Sequence, residues 1–260
     1  MKDYLWLHLC ELPYFRALVR SVEARFYAEI ELPTPTLDLG CGDGHFASIA
    51  FDRPIEVGID PGAILLREAN RRGVYRFLIQ GEGGRLPFAS QAFNSALSNS
   101  VLEHIPQVEV VLREVARILQ PGGLFVFCVP NQNFLPSLSV AKNLDHAGLT
   151  GLARLYRAFF NRISRHYHCD PPKVWQVRLE QSGFTLLKWW HYFSPEALRI
   201  VEWGHYFGLP ALVSRWLTGR WIICARRWNL DFTHRLVLPY YEQDPRNDQG
   251  VYTFFIARKE

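Results

Sequence analysis

The stretch Leu37-Asp38-Leu39-Gly40-Cys41-Gly42-Asp43-Gly44 constrains this chain more than any other. A short apolar run ends there in three glycines, at 40, 42 and 44. Closely spaced glycines let the backbone turn sharply and approach a ligand, with the N-terminus of the next helix standing behind the turn. The sixth position of the pattern is His45, where a dinucleotide fingerprint would want Gly or Ala. A second short apolar run ends in Gly58-Ile59-Asp60, twenty residues after Gly40. An acid at that place can accept hydrogen bonds from both hydroxyls of a ribose. It can also cap a helix beginning at Pro61.

Around these two points the pattern alternates. Helical spacing over 45–51 leads to a strand over 55–59, a helix over 63–72 and a strand over 75–79. A loop carries Gly81, Gly83 and Gly84, a strand covers 95–98, and a helix covers 108–119. Pro121-Gly122-Gly123 then turns into an apolar strand over 124–129. Strict alternation predicts an α/β fold with a parallel, doubly wound sheet. Residues 1–34 read as an N-terminal helical cover broken at Pro13, and 35–131 as the ligand-binding core. Residues 132–183 read as a helical insertion and a sheet-flanking helix. Residues 184–260 hold the last two strands, with an aromatic-rich helical insertion at 194–249.

Composition narrows the function classes. A net charge of +4 in 260 residues is too small to argue for nucleic-acid binding. The five cysteines form no CxxC pair, which argues against a structural zinc site or a disulfide framework. The first fifteen residues carry Asp3, His8 and Glu11 and no clean apolar core of a signal peptide. No eighteen apolar residues run without a charge. The expected location is cytoplasmic, with weak peripheral membrane contact as a further expectation.

The ordered set LDLGCGDG, GIDP, LPF, SNSVLEHI and LREVARILQPGGLFVF resembles the motifs of class I S-adenosylmethionine-dependent methyltransferases. The branch resembled is the broad one that includes ubiquinone- and menaquinone-biosynthesis enzymes. The resemblance implies S-adenosylmethionine as cofactor and a Rossmann-like doubly wound sheet, mostly parallel with an antiparallel last strand. It places Asp38 and the Gly40-Cys41-Gly42 backbone at the methionine part and Asp60 at the ribose, with Ile59 or Pro61 beside the adenine. Glu82, beside Gly83, stands where such enzymes usually have Asp near the adenine amino group. Ser98 and Asn99, followed by Ser100, fall beside the transferable methyl group. Some quinone O-methyltransferases of that branch hold a divalent metal through an acid three positions before a Glu-His pair. Here that position is Ser100, ahead of Glu103-His104, and no metal site is predicted.

Methyl transfer from a sulfonium asks mainly for alignment, and a hydroxyl acceptor also needs a base near its proton. His104 is the first candidate base, with the cap of the next helix as its bland alternative. His168, in Arg165-His166-Tyr167-His168-Cys169-Asp170, is the second, against ordinary loop packing. Tyr14 and Arg16 in the N-terminal segment could reach the acceptor or the cofactor carboxylate. Residues 204–228 mix Trp and Arg with apolar bulk, as interfacial helices do, and suit either membrane contact or a packed lid. Either suits a small but bulky, apolar or lipid-like acceptor, with O-methylation favoured. A nicotinamide-dependent oxidoreductase shares the glycine turn and Asp60. A non-catalytic, membrane-associated cofactor-binding protein is the third reading.

Overall fold

The computed structural model describes residues 2–260. Seven strands form one sheet: β1 (Thr36–Leu39), β2 (Ile55–Asp60), β3 (Tyr75–Gln80), β4 (Phe93–Asn99), β5 (Leu119–Pro130), β6 (Phe184–Tyr192) and β7 (Tyr252–Lys259). Their order is β3-β2-β1-β4-β5-β7-β6. The first five run parallel, while β7 pairs antiparallel with both β5 and β6. The chain therefore reverses its direction of progress between β1 and β4. Loops at the carboxyl ends of those strands frame the crevice where α/β sheets bind ligands.

The central strands are buried on both faces, which is why they read as near-continuous apolar runs. One face is covered by α5 (Val108–Ile118) and α8 (Pro172–Gln181). In α5, Val108, Val111, Leu112, Val115 and Ile118 repeat at three- and four-residue steps, and all five are buried. They pack with Phe125, Phe127, Trp175 and Phe255. Pro121-Gly122-Gly123 differs from the expected turn ahead of a strand. It is an irregularity within β5, where Leu119 pairs with Phe93 but Leu124 pairs with Ser95. Gly122 takes φ +81°, and a Cβ at Gly123 would lie 2.9 Å from the Gln120 carbonyl oxygen.

The other face holds α1 (Tyr4–Leu9), α2 (Tyr14–Tyr27), α3 (His45–Ala50) and α4 (Ala63–Arg72). Pro13 separates α1 from α2, so the N-terminal segment is two helices. Phe26 of α2 is fully buried, with its ring 5.2–5.4 Å from those of Trp190, Tyr192 and Phe254. Burial of one such side chain stabilises by roughly 1.5–3 kcal/mol. That packing makes α2 a fixed wall of the crevice.

Five further helices join α8 in the second half: α6 (Ser139–His146), α7 (Thr150–Ser164), α9 (Pro195–Phe207), α10 (Leu209–Thr218) and α11 (Arg227–Tyr241). Glu202 of α9 is fully buried and ties three of them together. It accepts from the Ser139 backbone (2.6 Å) and hydroxyl (2.6 Å), the Val140 backbone (3.1 Å) and the Tyr156 hydroxyl (2.8 Å). An acid at the start of α6 also meets the positive end of that helix. The 204–228 block divides: Gly204 packs so closely on Phe15 that a Cβ would lie 2.4 Å from its ring, whereas no described α10 side chain is buried. Among the described residues, no helix is long and apolar enough to cross a membrane.

Candidate functional site

The glycine turn is held from below and open above. The backbone N–H groups of Gly40 and Cys41 donate to the Ile59 carbonyl at 2.8 and 3.1 Å, pinning the turn to β2. Gly40 has φ +77°, and a Cβ there would lie 2.6 Å from both Val101 methyls. Gly42 has φ +55° with nothing within 4 Å of where a Cβ would stand. The Gly42 N–H donates to Asp60 Oδ2 (3.0 Å), and the Gly62 N–H donates to Asp60 Oδ1 (2.8 Å). Asp60 thus steadies both loops and keeps lone pairs for further donors, since a carboxylate has about four acceptor sites.

Beside Asp60 opens a cavity of about 660 Å³. Ile59, Pro61, Ile105, Val110 and Val111 give it apolar walls, and Glu82 and the backbone of Gly81–Gly84 form one side. Of the residues expected to meet the cofactor, Gly40, Asp60, Pro61, Glu82 and Gly83 line this cavity. An adenosine fits the chemistry of this wall: a carboxylate with free acceptor sites, a flat apolar flank, and a glycine turn that leaves room for backbone approach.

The other five do not line it. Asp38 is buried and accepts from the Tyr75 hydroxyl at 2.6 Å. Burial pushes its carboxyl up to about 7; the Tyr75 bond and Arg20 oppose this, and Asp60 adds to it. Cys41 is buried at the turn, and burial raises its thiol above the usual range. The Ser98 hydroxyl donates to the Leu39 carbonyl (3.0 Å), joining β4 to β1.

Asn99 leads to a network that the sequence did not reveal. Its Nδ2 donates to Glu23 Oε2 (2.7 Å), and the Cys128 thiol donates to its Oδ1 (3.1 Å). Glu23, fully buried on α2, also accepts from Arg20 (2.7 Å), the Ser100 hydroxyl (3.1 Å) and the Tyr192 hydroxyl (2.9 Å). Burial alone would lower the Arg20 guanidinium, but the Glu23 charge and hydrogen bond hold it above its ordinary value. Ser100 sits at φ +53°, an uncommon conformation for a residue with a Cβ. The only sequence signal for Glu23 was an acid on the apolar stripe of a helix.

A second, smaller cavity of about 150 Å³ adjoins the first and shares His104 with it. Phe15, Phe134, Val201 and Tyr252 supply its apolar part, and Arg16, Arg20, Glu103, His166 and His205 its polar part. Burial lowers the pKa of His104, His166 and His205, the second to about 3, so all three are neutral imidazoles at neutral pH. His104 is the more exposed, and its Nδ1 lies 3.0 Å from the Arg165 carbonyl. A carbonyl only accepts, so Nδ1 carries the proton and Nε2 keeps its lone pair. Arg16 reaches from α2 with its guanidinium 5.4 Å from the Trp221 ring.

His168 does not join them. It is buried, with Nε2 against the Ile105 carbonyl (3.0 Å), Nδ1 3.5 Å from Asp170, and its ring edge on Trp175. The residue of that segment that reaches the cavity is His166, two positions earlier, because the Tyr167 and His168 N–H groups donate to the Glu103 carbonyl at 2.7 and 3.4 Å. No zinc spacing is present in this region, yet the fold gathers Glu103, His104 and His166 from two distant segments.

Residues 37–127 match the family described as "Methyltransferase domain". The malonyl-[acyl-carrier protein] O-methyltransferase of Enterobacter lignolyticus is 30% identical over 126 residues, 48% of each chain. The chain thus spans about half the length of that relative, or less for others such as an uncharacterized methyltransferase of Mycolicibacterium gilvum (38% over 96 residues, 36% of that protein). A solved S-adenosylmethionine-dependent methyltransferase from Thermotoga maritima superposes with TM-score 0.59 over 95% of this chain and 91% of that one, at 16% identity. That last likeness speaks for the fold alone.

Proposed function

With residues 37–127 forming a class I S-adenosylmethionine-dependent methyltransferase domain, we propose that the chain transfers a methyl group to an oxygen of a small but bulky, largely apolar acceptor. The observation that carries this reading is the pairing of two cavities at the carboxyl ends of β1 and β4, with His104 as their common wall. S-adenosylmethionine, when bound, supplies an electrophilic methyl on a sulfonium. The larger cavity would hold it: Asp60 toward the ribose hydroxyls, Pro61 and Ile59 along the adenine, and Glu82 near its amino group. The turn at Gly40-Cys41-Gly42 and the buried Asp38 would face its methionine part, with Ser98 and Asn99 below.

Alignment is most of what this chemistry requires, and well-oriented neighbours can supply several kcal/mol of the barrier. Phe15, Phe134, Val201 and Tyr252 would orient the acceptor's apolar body and exclude water. The free Nε2 of neutral His104 is positioned to meet an acceptor hydroxyl or its proton. Support for oxygen as the acceptor atom comes also from the 30%-identical relative, which is named as an O-methyltransferase.

Calorimetric titration with S-adenosylhomocysteine tests the cofactor site. Micromolar binding that is lost in Asp60→Ala is the expected result. Absence of binding by the unsubstituted chain would withdraw the reading.

The acceptor's lipid-like character and a peripheral membrane contact rest on α10 and the segment after it. Trp216, Leu217 and Ile223 are exposed there beside Arg215 and Arg220. Trp rings at headgroup level and Arg at lipid phosphates are the signature of interfacial helices. Co-sedimentation with anionic vesicles at low salt is expected, and full recovery in the supernatant would count against it.

A further inference from the structure

Glu103, His104 and His166 bring one carboxylate oxygen and two imidazole nitrogens within 4.8 Å of one another, and all three line the smaller cavity. Two fixed backbone contacts create this meeting. The Tyr167 and His168 N–H groups hold the 165–168 strap onto the Glu103 carbonyl, and the Arg165 carbonyl holds His104 Nδ1–H. The second contact leaves His104 Nε2 as a free lone pair 3.8 Å from Glu103 Oε1. A histidine whose far nitrogen donates to a carbonyl has the orientation that metal-ligating histidines show.

A second observation points to a missing partner. The Glu103 side chain is 2% exposed, and its Oε2 has no hydrogen-bond partner among the described residues. A buried carboxyl oxygen left unsatisfied is costly, by about 1–3 kcal/mol or more. Arg20 lines the same cavity, but Glu23 already holds its guanidinium at 2.7 Å. Ser100 cannot substitute as a ligand-bearing acid, and its hydroxyl is engaged by Glu23 as well.

We propose that Glu103, His104 and His166 form a binding site for one divalent d-block cation of the zinc type, open toward the acceptor cavity. Two imidazoles and one carboxylate suit such ions, and three protein ligands leave a coordination position free, as in catalytic rather than structural sites. The free position faces the cavity in which the methyl acceptor is placed. This deepens the proposed function and rests on it in one respect: the acceptor class becomes one that offers an oxygen ligand, a hydroxyl or a carboxylate. In this arrangement His104 holds the cation, and the cation rather than the imidazole acidifies an acceptor hydroxyl.

Zn2+ titration of the full chain by calorimetry, with and without S-adenosylhomocysteine, tests the site. One equivalent is expected to bind with micromolar or tighter affinity, and affinity is expected to fall at least ~100-fold in His166→Ala and Glu103→Gln, beyond the 10–100-fold typical of outer-shell partners. No binding by the unsubstituted chain, or binding unchanged by either substitution, overturns the proposal. Should His166→Ala unfold, as judged by its thermal transition, His104→Ala carries the same comparison, since its ring is the more exposed. Zn2+ binding is read without turnover. Loss of S-adenosylhomocysteine binding with Zn2+ binding intact would therefore strike the methyltransferase reading and spare this site.

Discussion

Glu23 offers the sharpest test of how the site is held. Its Oε2 takes Arg20 and Asn99, and its Oε1 takes the hydroxyls of Ser100 and Tyr192. Glu23→Ala removes the acceptor for all four donors at once and leaves a partly buried guanidinium without its counter-charge. Breaking a buried ion pair from one side costs about 3–5 kcal/mol. Glu23→Gln should cost less, for a geometric reason. An amide can keep its oxygen toward Arg20 and Asn99 and turn its NH2 toward the two hydroxyls, which can reverse and accept. What remains is the lost charge on Arg20, and a hydrogen bond to a charged group contributes about 1.5–3 kcal/mol. Urea denaturation of the three proteins should therefore rank them unsubstituted, Gln, Ala, with steps of about 2 kcal/mol each. Thermal midpoints should fall by roughly 2–4 °C per kcal/mol for a chain of this size. If Gln proves as damaging as Ala, hydroxyl reversal is refuted. If Ala costs less than about 1 kcal/mol, the network does not fix α2 over β4 at all.

Three further outcomes are expected. Asp38, whose folded pKa of about 7 lies above its ordinary value, binds its proton more tightly in the native state. Stability from this group is therefore full below about pH 4 and is lost as pH rises toward 7. Asp38→Asn should flatten that slope, and urea midpoints of both proteins from pH 5 to pH 8 that run parallel would refute the assignment. Gly40→Ala would drive a Cβ to 2.6 Å from Val101 at φ +77°. It should abolish S-adenosylhomocysteine binding and lower the thermal midpoint, whereas Gly42→Ala, with open space, should cost only about 1 kcal/mol of backbone strain; equal effects on stability would contradict this. Trp216→Glu with Ile223→Glu should release the protein from anionic vesicles while leaving S-adenosylhomocysteine affinity unchanged, and undiminished co-sedimentation would remove α10 from the contact.

Much of the fold was legible because its signals are local. Apolar runs of strand length, the i, i+3, i+4 stripe of Val108 to Ile118 and glycine-closed turns all act within a few residues. Alternation and the handedness of crossovers then order the parallel strands with little freedom left. The same locality brings Gly40, Asp60, Pro61, Glu82 and Gly83 to one cavity, since each stands at or shortly after a strand end in a sheet whose crevice is fixed by topology. The Pro121-Gly122-Gly123 irregularity was not readable as part of a strand, because the pairing of Leu119 with Phe93 lies outside its own segment.

The smaller cavity and the Glu23 network depended on meetings between distant parts of the chain. Glu23 gains its meaning only where α2 meets the ends of β4 and β6, and an acid on an apolar stripe does not announce which donors will surround it. His166 rather than His168 faces the cavity because of backbone bonds from residues 167 and 168 to the Glu103 carbonyl, a contact spanning more than sixty positions. By itself the sequence determined the sheet, the turn and the strand-end residues around the larger cavity, whose determinants are short-range. Tertiary packing alone decided which imidazoles, which carboxylates and which helix line the smaller cavity, because side chains on irregular segments take their direction from what they pack against.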